Sequence, residues 1–194
     1  MINIAILKGH VGQGVTLCAK NWYGTTSINP DWRKNAHDNF GQSRNGSPKY
    51  ITFTDFMGHK DLGEKTILFL LDAIYTNKFV GGKPEYKWQM APFNNYWPSS
   101  LIISQDGVAI DAVGMDFILA EWPDAPDLKY CDAYLIEAAL ADNPPSKTFY
   151  DPEHDGTGLN SLGVMEHWNN SNEKKYSRNL KSGNGIELIY SLIK

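Results

Sequence analysis

The chain has 194 residues, 42% hydrophobic and 21% charged, with a formal net charge of −4 at neutral pH. That length bounds it to one domain, or at most two small ones. The acidic balance leaves no electrostatic footprint for nucleic acid, and no apolar run approaches the roughly 20 residues that a membrane-spanning helix needs.

Ile2–Leu7 is apolar except for Asn3 and predicts a buried strand. A glycine-broken turn, Lys8-Gly9-His10-Val11-Gly12-Gln13-Gly14, leads into Val15–Tyr23, which reads as a short helix stopped by Gly24. Residues 25–50 carry no periodicity and predict a long loop; 51–62 hold a short helix. Thr66–Asp72 is a continuous apolar run ending in a carboxylate, the pattern of a central strand. A second long loop covers 75–99. Ser100–Ser104 is the next strand, and Asp106 precedes a helix over Val108–Trp122 that Pro123 and Pro126 stop. Leu128–Ala141 predicts another helix, 143–184 a polar loop, and Ile186–Leu192 a terminal strand. The alternation predicts a single α/β domain over 1–194, with a mostly parallel sheet, flanking helices and long loops over one edge. Ligands of such sheets gather outside the carboxyl ends of the strands, here the loops after Leu7, Asp72 and Ser104.

Chemistry-bearing residues concentrate at those places. A strand-to-helix turn favours anions, so His10 is a candidate catalytic proton donor or acceptor. Lys20 is a candidate catalytic residue and anion anchor, with Lys8 and Asn21 beside it as ligand-binding groups. His37 is expected as a metal ligand or second base. Asp72 and Asp106 are expected as ligands of a divalent cation, Asp106 equally as the cap of the helix it precedes. Asp111 sits within that helix. The run Asp151-Pro152-Glu153-His154-Asp155-Gly156 reads either as an acidic turn or as a calcium loop outside the EF-hand class, since Leu162 stands where an EF-hand needs Glu. Cys18 and Cys131 lie among apolar neighbours, where a buried thiol is the commoner state and a disulfide is left open. No Cys-x-x-Cys pair is present, so no iron–sulfur cluster is expected in this chain. Six Trp and ten Tyr suit either a binding surface or caps over the core.

Three spaced motifs point to a family. They are Ile4-Ala5-Ile6-Leu7-Lys8-Gly9-His10 with Gly14-Val15-Thr16 and Lys20-Asn21-Trp22-Tyr23-Gly24; Leu70-Leu71-Asp72-Ala73-Ile74; and Ser104-Gln105-Asp106-Gly107-Val108-Ala109-Ile110-Asp111-Ala112-Val113-Gly114. Together they resemble the family called domain of unknown function 362, from which the chain departs at Gln105, where the family has Arg, and at Gly107, where it has Pro. The tail, Leu162–Asn170 with Tyr176–Leu180, resembles Bacteroidetes-type secreted members. The resemblance implies that His167 and Arg178 line the ligand cleft, with a structural knot at Glu166-His167-Trp168 as the other reading. It also implies that the chain is the C-terminal portion of a longer, exported protein; within the chain, Met1 leads straight into the expected strand with no signal-peptide pattern. His10 and Lys20 are ten residues apart and His37 lies seventeen beyond Lys20, a spacing distantly similar to nickel-pincer lactate racemases, whose Gly-Gly-x-Lys element this chain lacks. The first functional expectation is an enzyme-like cleft for a small anionic or hydroxylated ligand, assisted by a divalent metal. The alternative is a non-catalytic extracellular module that binds a glycan or a protein through exposed aromatic rings.

Overall fold

The computed structural model describes residues 1–24, 46–79, 83–125 and 128–192. Its centre is a four-stranded sheet in the order β2-β1-β3-β4, formed by β1 (Ile2–His10), β2 (Gly14–Thr16), β3 (Leu68–Asn77) and β4 (Ser100–Ser104). β1 and β3 run parallel, with Ile4 opposite Leu70 and Ile6 opposite Asp72. β2 is antiparallel to β1, and β4 is antiparallel to β3. The sheet is therefore mixed rather than mostly parallel. A parallel pair needs a long crossover, whereas an antiparallel neighbour can return directly. The chain between β1 and β3 carries helices; among the described residues, the connection from β3 to β4 carries none.

Gly12 and Gly14 adopt φ of +85° and +76°, the left-handed region that glycine enters without a Cβ penalty. They fold the predicted helix start back as β2, so Val15 and Thr16 pair with Gly9 and Lys8. Helix α1 is consequently short, Cys18–Asn21, continued by a 3₁₀ turn over Trp22–Gly24. α2 spans Thr52–Gly58, α3 Gly107–Glu121 and α4 Ala133–Ala139. α4 starts later than the periodicity predicts, because Tyr130 takes a left-handed φ of +61°. The expected terminal strand at 186–192 does not form. Its backbone groups are taken elsewhere: Glu166 accepts from the Ile186 N–H, and the Asn179 side chain brackets Leu188 through both its N–H and its carbonyl.

The helices lie on one face of the sheet. Alternate strand residues Ala5, Leu7, Phe69, Leu71 and Ala73 are buried there, joined by Leu17, Phe53, Val108, Met115, Ile118 and Leu135. α3 is buried along nearly its whole length from Gly107 to Ile118, since the sheet lies beneath it and loops cover its other side. Trp88, fully buried, packs edge-on against Phe93 and Trp122, and Glu121 accepts from the backbone N–H groups of Gln89 and Met90. Part of the 75–99 loop is thus pinned onto α3 by an aromatic cluster. Cys18 and Cys131 are buried free thiols.

Candidate functional site

The β1–β2 hairpin and α1 bring the basic residues together. Register sets Lys8 beside Thr16 on one side and beside Asn77 on the other, so three polar side chains share a rung at the carboxyl end of β1. The Oγ1 of Thr16 and the Oε1 of Gln13 are shielded from water and have no hydrogen-bond partner. Buried polar atoms are normally paired, so Gln13 Oε1 is an acceptor in want of a donor, and the Thr16 hydroxyl is open both to donate and to accept. His10 pairs with Gly14 at the end of the hairpin. Its Nδ1 lies 2.5 Å from the Val11 carbonyl oxygen, which places the proton of the neutral ring on Nδ1 and leaves Nε2 as the proton-accepting nitrogen. Lys20 comes from α1. Burial, and then the positive charge of Lys8, lower its pKa to about 8. Two ammonium groups from different elements therefore feel each other's field.

Asp111 fixes the placement of α1. Its carboxylate accepts from Cys18 N–H at 2.8 Å, Ala19 N–H at 2.9 Å and the Tyr134 hydroxyl at 3.0 Å. It satisfies two orphan donors at the helix start, where negative charge is favoured. Burial pushes its pKa up to about 6 against these three hydrogen bonds. Two separated motifs, Gly14–Lys20 and Asp106–Gly114, are joined by this one side chain.

The other expected site residues lie elsewhere. Asn21 donates to Asn3 Oδ1 and the Ile4 carbonyl, closing the part of β1 that β2 does not cover. Asp72 is not at a strand end but in mid-strand, its Oδ1 accepting from Ile74 N–H. Asp106 is at the opposite end of the sheet from His10: β4 runs antiparallel, so Ser104 lies beside Phe69 at the start of β3. There Asp106 caps α3 through Val108 and Ala109 N–H and also accepts from Val164 N–H. His37 lies outside the described residues. Among those described, no group of three His, Cys, Asp or Glu side chains is placed to hold a metal ion, so the cation set of Asp72 and Asp106 does not assemble. The acidic run is a turn in which Asp151 accepts from Asp155 and Gly156 N–H.

His167 and Arg178 have acidic partners of their own. His167 Nδ1 lies 2.5 Å from Asp116 on α3, and its Nε2 lies 3.8 Å from Asp132. Hydrogen bonds to Asp116 and then Asp132 raise its pKa to about 10, so it is an imidazolium held between carboxylates. Asp116 also accepts from Trp168 N–H and the Tyr176 hydroxyl. This is the structural knot, with Asp116 as its unforeseen centre. Arg178 forms an exposed pair with Glu187. Asp116, Thr16 and Asn77 were not singled out from the sequence; the two hairpin-rung residues become visible only through cross-strand register.

The fold and site define an α/β protein with a basic, histidine-bearing hairpin at the carboxyl end of its parallel strand pair. Residues 1–116 match the family model for the domain of unknown function (DUF362), and the chain belongs to that family. No curated protein and no solved structure matches it.

Proposed function

We propose that the hairpin site binds a small anionic ligand, a carboxylate or phosphate seated against Lys8 and Lys20, with His10 Nε2 placed to exchange a proton with it. The observation that carries this reading is the rung of Lys8, Thr16 and Asn77, with Lys20 close enough to feel the Lys8 charge and a buried, unpartnered hydroxyl on Thr16. An anion relieves the repulsion between the two ammonium groups, and its oxygens accept from the Thr16 hydroxyl. Charge-assisted hydrogen bonds are the strong class of polar contact. The glycan-binding alternative keeps the exposed rings of Tyr75, Tyr96 and Tyr190 but gains little from the tryptophans. Trp22, Trp88 and Trp122 are buried, Trp97 and Trp168 are half-buried, and most of these rings pack against other aromatics.

The test is calorimetric and NMR titration with inorganic phosphate and with glycolate, a small 2-hydroxy carboxylate. Lys20→Ala and Lys8→Ala are each expected to weaken binding at least about tenfold, about 1.4 kcal/mol. Affinity is expected to fall as pH rises through about 8, where Lys20 loses its proton. His10→Ala is expected to retain binding of phosphate while removing any proton exchange at the 2-carbon of glycolate. Equal affinity in parent and Lys20→Ala, or affinity that rises between neutral and alkaline pH, overturns the reading.

A further inference from the structure

Among the described residues nothing covers the face of the sheet opposite the helices, and that face is largely apolar. Ile2, Ile4, Ile6, Leu101 and Ile103 are each 51–58% exposed. Register sets them on one surface: Ile4 pairs with Leu70, which pairs with Ile103, while Ile6 pairs with Asp72, which pairs with Leu101. Sheets with one solvated face alternate apolar and polar residues, and strands apolar on both faces belong to sheets covered on both sides. Here the inward residues Ala5, Leu7, Phe69 and Leu71 are covered by helices, and the outward ones by nothing among the described residues. The patch presents on the order of 600 Å², at the upper limit of what a monomer ordinarily exposes.

We propose that this face packs against the same face of a second copy, giving a two-fold homodimer with the sheets stacked back to back and the helices outermost. Three features favour a second copy. First, two such patches bury a total of about 1,200 Å², where stable interfaces begin. Second, a flat row of Ile and Leu is complementary to itself, and stacked sheets bring such rows together at about 10 Å. A two-fold interface needs only this one surface. Third, the one carboxylate on the paired rungs is off-centre. Asp72 lies on the Ile6–Leu101 rung, with the Ile4–Leu70–Ile103 rung and Ile2 beyond it. A two-fold axis through the Ile4–Leu70–Ile103 rung sets the two Asp72 side chains at opposite rims, each near water. A bilayer is the poorer occupant, since peripheral membrane faces are ringed by basic residues and this chain is net acidic.

The experiment is sedimentation velocity on the 194-residue chain from about 1 to 100 µM, the range in which an interface of this size resolves, with Ile103→Lys and Ile4→Lys in parallel. The parent is expected to sediment at twice the chain mass. Each Lys variant is expected to shift dissociation at least tenfold toward monomer with its circular dichroism unchanged, because the replaced side chains lie outside the core. Should either variant lose its fold, Leu101→Lys on the edge strand serves in its place. A parent that stays monomeric throughout overturns the proposal, whether it is inert or binds hydrophobic dye or zwitterionic vesicles. So does a dimer that all three Lys variants preserve. Anion affinity at the hairpin is a separate readout, so failure here leaves the proposed function to its own test.

Discussion

Asp111→Ala tests how the site is held, and its cost depends on pH in a way the structure determines. The substitution strands three buried donors: Cys18 N–H, Ala19 N–H and the Tyr134 hydroxyl. At about 1–3 kcal/mol for each unsatisfied group, the gross loss is about 3–9 kcal/mol. An opposing term acts at neutral pH. The carboxyl pKa is raised by burial from 3.8 to about 6, so the folded state disfavours the ionised form. The stability tied to this proton is fully present below pH 3.8 and is lost as pH rises through about 6, about 3 kcal/mol in all at 1.36 kcal/mol per unit. Removing the carboxyl at pH 7 relieves that cost, leaving a net loss about 3 kcal/mol smaller than the gross one. Near pH 4 no relief is available, and the loss returns to about 3–9 kcal/mol. Out of a total stability of about 5–15 kcal/mol, both are measurable by urea unfolding of parent and variant at the two pH values. A cost that is larger at pH 7 than at pH 4, or below about 0.5 kcal/mol at both, refutes the assignment of Asp111 as the buried cap of α1.

Asp116→Ala is expected to release the tail: it strands His167, the Trp168 N–H and the Tyr176 hydroxyl and costs about 3–5 kcal/mol, with limited proteolysis then cutting within 162–190. His167 has its pKa raised from 6.5 to about 10, so the stability it brings is complete below pH 6.5 and is lost as pH rises through about 10. With the ring 44% exposed, screening reduces that to about 1–2 kcal/mol, readable as a fall in Tm of parent relative to His167→Gln between pH 7 and 10. Gly9→Ala is expected to break the hairpin end, because the added Cβ falls 2.0 Å from the Lys78 carbonyl oxygen, a backbone atom that cannot move aside; loss of amide protection in β1 and β2 by hydrogen exchange checks this, and unchanged protection refutes it.

What the sequence revealed and what it hid divide along physical lines. The strand at Ser100–Ser104 and the capped helix after Asp106 are written in short-range pattern, and both form as expected. Lys8 and Lys20 were legible as close in space because a tight hairpin and the short helix after it join them within a short stretch of chain. Strand direction was not legible, and reading the sheet as mostly parallel put Asp72 and Asp106 in a cleft with His10 that an antiparallel β4 does not build. The His167 knot depended on Asp116, 51 residues away, which no local spacing indicates. The apolar run Ile2–Leu7 carries the further lesson. Its composition predicts burial on both faces, yet Asn3, Ala5 and Leu7 are covered while Ile2, Ile4 and Ile6 stand in the open. β4 repeats the mismatch, with Leu101 and Ile103 outward on the same surface. Selection for solubility alone removes exposed Ile from a strand at little cost to the core. Its presence on two strands in one registered row argues that the row is buried in the working state of the protein, and a two-fold pairing of sheets buries it with no further component.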